Sequence, residues 1–348
     1  MDLFPSFDDE LIRGVSMADK HHPRRGSMGY SPRKRAQSMT PKIRAWSEID
    51  DGPKIQGFPG FKAGMTHGFI VDYRPTSTTS GQEVRVPITV VEVPPITVCG
   101  LRFYTETHEG LKCVGEVWAK KVDKLLEKRL PIPKSYNTTK MWKKINLDEV
   151  DDIRAIVHTH PEKVSGTPSK APEIMELRIG GGTIQERIDK GKEILGKEIQ
   201  YKDFAEAGDM IDVAAITKGK GTQGHVKRWG VKILDHKNSK SRRNIGTTGV
   251  FIPGYIRPTV PQAGQTGFHQ RTEYNKRVLK VGDKGEEITP KGGFVNYGEV
   301  KNPYVLLHGS VPGPVKRTVV MKDPIRRRGV EVREPKLTYI STESKQGA

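Results

Sequence analysis

Apolar positions along this chain recur mostly with a period of two, in short runs broken by Gly and Pro. GFPGFKAGMTHGFIVDYR and VRVPITVVEVPPITVCGLRFY, from Gly57 to about Tyr104, are rich in Val, Ile and Thr and are cut by Pro94 and Pro95, which predicts short strands with tight turns. The period then changes. VWAKKVDKLLEKRL puts Trp118, Val122, Leu125 and Leu126 on one helical stripe, predicting a helix over Val117 to Leu130 that Pro131 and Pro133 stop. The polar stretch Lys134 to Asp152, with Trp142 inside it, continues this helical insertion. Strand character returns in DIRAIVHTHP and in IMELRIGGG, where Met175, Leu177 and Ile179 alternate with Ile174, Glu176 and Arg178. Thr183 and Glu186 have capping-box spacing ahead of a short helix carrying Ile188, Ile194 and Leu195, which Gly196 ends. DMIDVAAIT, VLKVG, NPYVLLHG, VKRTVVMKD and KLTYIS read as further strands, and their regular spacing favours a closed or nearly closed barrel. The fold class is mainly β with α insertions.

Charge changes this picture. The formal net charge is +18, and it is segmental. From Met17 to Ala45 eight Lys/Arg face one Asp, and from Lys218 to Lys280 fourteen face two acids; the remaining residues are close to neutral. A near-neutral remainder can fold as an ordinary globule, whereas two segments of one sign repel themselves and need an anion to order them. A solvated charged face would mix the signs. The Lys218 to Lys280 segment lies between two predicted strands, and its recurrent glycines allow close backbone approach to a surface. Lys218, Lys220, Lys227, Arg228, Lys232, Lys237, Lys240, Arg242 and Arg243 are suited to phosphate contacts. Trp229, Phe251, Tyr255, Phe268, Tyr274 and the histidines at 225, 236 and 269 interleave with them, either to stack on unpaired bases or to pin the loop to its own fold. The N-terminal HHPRRGSMGYSPRKRA repeats this chemistry with Arg24, Arg25, Arg33, Lys34 and Arg35. These features point to RNA.

Catalytic and metal chemistry find less support. No run approaches the ~18 apolar residues of a membrane span, and no nucleophile elbow or catalytic carboxylate pair is present. His158-Thr-His160-Pro161 resembles the HxHP of deubiquitinase-type metalloproteases, but Ala171 stands where the third ligand, an Asp, belongs. A pair of satisfied histidines at a strand end is the expectation, with no metal and no cofactor. Gly180-Gly-Gly-Thr183 lacks the ending of a phosphate-binding loop and reads as a strand-to-helix turn. Cys99 and Cys113, without CxxC spacing, read as two buried free thiols.

HHPRRGSMGYSPRKRA, GFKAGMTH, KGKGTQGHVKRWGVK, AGQTGFHQRTEYNKR and ITPKGGFVNYGEVKNPYVLLHGSVPGPVKR together resemble signatures of the L3 family of large-subunit ribosomal proteins (uL3), in its archaeal and eukaryotic form, from Met17 onward. The resemblance implies a six-stranded translation-factor-like β-barrel with long basic non-globular extensions, and no enzymatic activity. It also implies binding to 23S rRNA near its 3′ end, nucleation of early subunit assembly, and a finger around Lys240 to Gln265 approaching the peptidyl transferase centre. The partners would be that rRNA and neighbouring large-subunit proteins, with no membrane and no DNA, the chain being a monomer within a cytoplasmic ribosome. Two departures stand out: Phe251 aligns where eukaryotic members carry a tryptophan at the finger tip, and Ser239 aligns with their methylated histidine. The candidate rRNA-contacting set thus comprises Arg24, Arg25, Arg33, Lys34, Arg35 and the nine cations named from Lys218 to Arg243, with Trp229, Phe251, Tyr255, Arg257, Gln265, His269, Arg271, Lys276 and Arg277. The expected organisation is a dispensable or mis-assigned tail at 1–16, with Met17 as the natural start, and a basic arm at 17–56. The first part of the barrel follows at 57–116, the helical insertion at 117–152, and associated strands with a short helix at 153–217. The basic extension occupies 218–277, and the remaining barrel and C-terminal strands 278–348.

Overall fold

Runs with period two become strands wherever both of their faces find apolar partners. The computed structural model describes residues 24–49, 52–133, 136–326, 335–344 and 346; the tail at 1–16 lies outside the described residues. The strands are β1 (Lys54–Ile55), β2 (Gly57–Val71), β3 (Glu83–Glu92), β4 (Ile96–Thr107), β5 (Gly110–Trp118), β6 (Asp152–His158), β7 (Ile174–Gly180) and β8 (Glu198–Ile199). They continue with β9 (Met210–Ile216), β10 (Thr222–Gln223), β11 (Gly264–Gln265), β12 (Gln270–Gly282), β13 (Tyr304–His308), β14 (Thr318–Lys322) and β15 (Leu337–Ile340). Three α-helices are described: α1 (Thr138–Trp142), α2 (Ile184–Ile194) and α3 (His225–Trp229). The protein is mainly β.

The chain divides into two compact units. The larger, Ala36–Lys218 with Gln270–Ala348, holds two antiparallel sheets. In one, each strand pairs with the next in the order β2, β3, β13, β12, β9, β14, and β14 pairs back onto β2. β2 takes β14 along Gly57 to Phe61 and β15 along Gly68 to Ile70. The other sheet runs β1, β7, β6, β4, β5, with β8 on β4. Alternation explains why these strands are apolar on both faces. On β13, Tyr304 and Leu306 join a cluster with Phe61, Ile88, Val90 and Phe294, whereas Val305 and Leu307 join another with Phe58, Val91, Leu101 and Ile153. Glu92, fully buried at the end of β3, accepts hydrogen bonds from the Tyr297 hydroxyl, the Asn302 backbone N–H at 3.0 Å and the Asn302 side-chain amide at 2.6 Å. A buried acceptor satisfied in this way ties residues 297–302 to the strands.

Two local expectations met different outcomes. The Thr183 side chain accepts from Glu186 N–H and the Glu186 carboxylate accepts from Thr183 N–H, so the capping box forms and α2 starts where its sequence signals. The stripe over Val117 to Leu130 is not one helix. Val117 and Trp118 finish β5, in register with Leu101 and Gly100 of β4, and a 3₁₀ helix at Lys124–Lys128 buries Leu125 and Leu126. Asp123 caps that short helix by accepting from Leu125 N–H at 3.0 Å. Sheet pairing outbids helix periodicity here, because β4 offers β5 a ladder of hydrogen bonds.

The cysteines also differ from expectation, since only Cys99 is buried. Its thiol contacts the Ile156 carbonyl at 3.1 Å, and burial pushes its pKa up to about 12. Cys113 sits in the exposed part of β5, a strand with one sheet neighbour. Titration with a disulfide reagent should therefore modify Cys113 alone in the native protein and Cys99 only after denaturation. Two fast-reacting thiols, or none, would contradict this placement.

Candidate nucleic-acid interface

The smaller unit comprises Met1–Arg35 and Gly219–His269, described from residue 24 onward. Its base is a two-stranded ribbon in which Thr222 faces Gln265 and Gln223 faces Gly264. Lys220 N–H to Thr266 O at 2.9 Å and Thr266 N–H to Gly221 O at 2.8 Å extend the ribbon. After it comes α3, which ends at Gly230 with φ +70°, a left-handed conformation that favours glycine.

Trp229, the last residue of α3, organises the unit. It is buried, and its indole N–H donates to the Gln262 carbonyl at 2.9 Å. The Arg33 guanidinium lies 3.7 Å from the ring centroid, with those of Arg228 and Arg24 at 5.4 and 5.5 Å. Arg228 reaches the carbonyls of Gln265 at 3.0 Å and Gln262 at 2.9 Å, while Arg33 donates to the carbonyl of Arg228 at 2.8 Å. Arg24 donates to Thr259 O at 2.6 Å, and the buried His269 ring meets Lys34 O at 2.9 Å. Residues 24–35 are thereby fastened to the extension. Gly26 allows this close approach: it has φ +75°, and a Cβ there would fall 2.5 Å from the indole Cε3.

The candidate residues thus fall into groups. Arg24, Arg25, Lys34, Arg35, Lys218, Lys220, Lys227, Lys232, Lys237, Lys240, Arg242, Arg243, Phe251, Tyr255 and Arg257 are exposed. Among the described residues, no carboxylate forms an ion pair with any of the eight cations Lys218, Lys220, Lys227, Lys232, Lys237, Lys240, Arg242 and Arg243. Phe251 is 96% exposed, beside Val250, Ile252, Tyr255 and Ile256, which are also exposed. Trp229 and His269 are buried, so their contacts lie within the unit. Gln265 turns its amide onto the carbonyl of Gly267 at 2.9 Å.

In the larger unit Arg271, Lys276 and Arg277 are half-buried. Arg277 stacks 4.5 Å over Tyr73, and burial lowers its pKa; Lys276 pairs with Glu273 at 3.4 Å. Lys62 and Lys322 of the same unit are buried, and their ammonium groups donate to the carbonyls of Val311 and Ala45. Burial lowers the pKa of both. Charge at those two positions serves the fold. Sequence reasoning missed Gly26 and Gln262, whose partner Trp229 is remote in sequence from the first and lies across the ribbon from the second.

Replacing Trp229 with Ala removes the surface that three guanidiniums share. Tryptic cleavage after Arg24, Arg25, Arg33 and Lys34 should accelerate about tenfold, equivalent to about 1.4 kcal/mol of lost cation–π attraction. An unchanged cleavage rate would show that the indole does not hold the arm.

The family model for ribosomal protein L3 matches residues 16–347. The chain is 52% identical to the large ribosomal subunit protein uL3 of Picrophilus torridus, over 95% of this chain and 100% of the relative. It is 53% identical to that of Thermoplasma acidophilum over the same shares, and 49% identical to that of Archaeoglobus fulgidus over 94% of this chain and 99% of the relative. With the match reaching from residue 16 to residue 347, the chain belongs to the ribosomal protein L3 family.

Proposed function

We propose that this protein is a structural constituent of the large ribosomal subunit that binds 23S rRNA near its 3′ end, nucleates early assembly, and extends a basic finger toward the peptidyl transferase centre. The finger lies within residues 219–269, shorter than the 218–277 expected, because Gln270–Arg277 belong to β12. The family is a structural ribosome component and not an enzyme. The observation that carries the reading is the set of eight exposed cations between Lys218 and Arg243, Arg228 excepted, with no ion-pair partner among the described carboxylates. Cations left without protein counter-ions are available to phosphates, and the salt dependence of binding then follows from the counterions displaced.

In this reading the cyclic pairing of β2, β3, β13, β12, β9 and β14 is a closed barrel of the translation-factor type, which serves as the docking body. In chain order the finger follows β9 and precedes β12. Exposed Phe251 and Tyr255 supply stacking planes, with Phe251 at the tip. The chain sits as a monomer beside other large-subunit proteins. No described helix is long and apolar enough to cross a membrane.

Two measurements test this. Changing Lys237, Lys240, Arg242 and Arg243 to Ala should reduce the log–log salt slope for 23S rRNA binding by about 3, at roughly 0.7–0.9 per phosphate contact. A slope that stays put would move these residues off the RNA. Shortening the loop within residues 246–256, which spares the ribbon and Gln262, should leave the thermal melt of the free protein unchanged. Large subunits built with it should mature slowly or form peptide bonds poorly; normal subunits of full activity would refute the finger assignment.

A further inference from the structure

The larger unit contains a cluster that the RNA reading does not use. β6 ends in His158, and two residues later His160 precedes the 3₁₀ helix Pro161–Lys163; the two residues are 0% and 3% exposed. Their rings meet edge-on, with centroids 4.9 Å apart. Asp123 arrives from 35 residues upstream. Its Oδ1 is held by Leu125 N–H, and its Oδ2 lies 3.2 Å from His158 Nε2 and 3.9 Å from His160 Nδ1. One ligand atom from each of the three residues falls within 4.8 Å of the others. Thr97 Oγ1 contacts His160 Nε2 at 2.8 Å, which fixes that ring and leaves Nδ1 as its inward atom.

From this geometry we propose that Asp123 Oδ2, His158 Nε2 and His160 Nδ1 form a binding site for one zinc-like divalent cation. Ligands about 2.0–2.1 Å from a tetrahedral zinc lie roughly 3.3 Å from one another, to be compared with 3.2 and 3.9 Å from Asp123 Oδ2 to the two ring nitrogens. A metal-free hydrogen-bonded cluster accounts for the His158–Asp123 contact and leaves the rest unexplained. His160 Nδ1 is buried without a hydrogen-bond partner, although it faces a carboxylate oxygen at 3.9 Å, too far for one proton to bridge. A cation bound by both atoms satisfies them together.

Neutral imidazoles and an ionised carboxylate are the forms that bind a divalent cation, so uptake should release protons and weaken as pH falls. Asp123 is the partly exposed member and gives the route of entry; Glu162, whose Oε1 is 4.0 Å from His160 Nδ1, or a water completes the shell. The donor set of two imidazoles and one carboxylate selects zinc or cobalt over magnesium or calcium. Its effect is structural: the metal clips the 3₁₀ helix at Lys124–Lys128, and so the start of the segment between β5 and β6, to the end of β6.

The test uses the full chain, stripped with chelator and titrated with ZnCl₂ and CoCl₂. One equivalent of either should bind, Co²⁺ should give the intense ligand-field bands of a four-coordinate site, and zinc should raise Tm. Asp123→Asn and His160→Gln, near-isosteric and able to hydrogen-bond, should each weaken binding at least about a hundredfold and abolish the Tm shift. X-ray absorption of the zinc-loaded wild type needs no variant and should show two imidazoles with oxygen ligands. The proposal is overturned by absence of stoichiometric uptake, by uptake that survives in both variants, or by a spectrum with sulfur or fewer than two imidazoles.

Discussion

Two exposed cations about 7 Å apart in water repel by about 0.6 kcal/mol, and the segment from Lys218 to His269, which ends where β12 begins, carries ten cations against one acid. No apolar core of ordinary size can be built from such a stretch, because its neighbours push apart as they approach. The chain responds by separating tasks. The sheets are made from residues whose net charge is close to zero, and the excess is placed where an external polyanion can neutralise it. The ribbon at Thr222–Gln223 and Gly264–Gln265 carries the backbone between these two regimes.

Inside the basic unit, order depends on converting some of the repelling groups into packing surface. A guanidinium is planar and weakly hydrated, so it can lie against an indole while keeping its N–H groups for carbonyls. Arg24, Arg33 and Arg228 do this around Trp229. Lysine, with a compact and strongly hydrated charge, would not replace them. The exposed lysines are accordingly the ones left facing solvent, among them Lys218, Lys220, Lys232 and Lys237.

Much of this was legible in the sequence, and the failures have physical causes. Alternation in Met175, Leu177 and Ile179 and the Thr183–Glu186 capping box are local signals, and both appear in the structure. The stripe through Trp118, Val122, Leu125 and Leu126 misled because an apolar spacing does not say whether a strand end and a 3₁₀ turn share it. Trp229 could have stacked on a base or packed inward, and a contact with Arg33 from the far N-terminal arm decided for packing. Asp123 beside His158 was invisible for a similar reason, since a search downstream of HxHP misses a carboxylate that comes from upstream. Cys113 lacks the spacing of a metal-binding or paired cysteine, which says nothing of its burial, and among the described strands its own pairs with β4 alone.

The cyclic pairing also has a consequence in time. β2 leaves the synthesising ribosome early, but β14, which pairs with its first residues, and β15, which pairs near its end, are among the last strands made. Neither ladder can form until translation is almost complete, whereas residues 24–35 and 219–269 have both emerged by then. The segments that repel one another are therefore made before the sheet can close. A nascent chain captured at that stage would meet its anion first and finish its fold second.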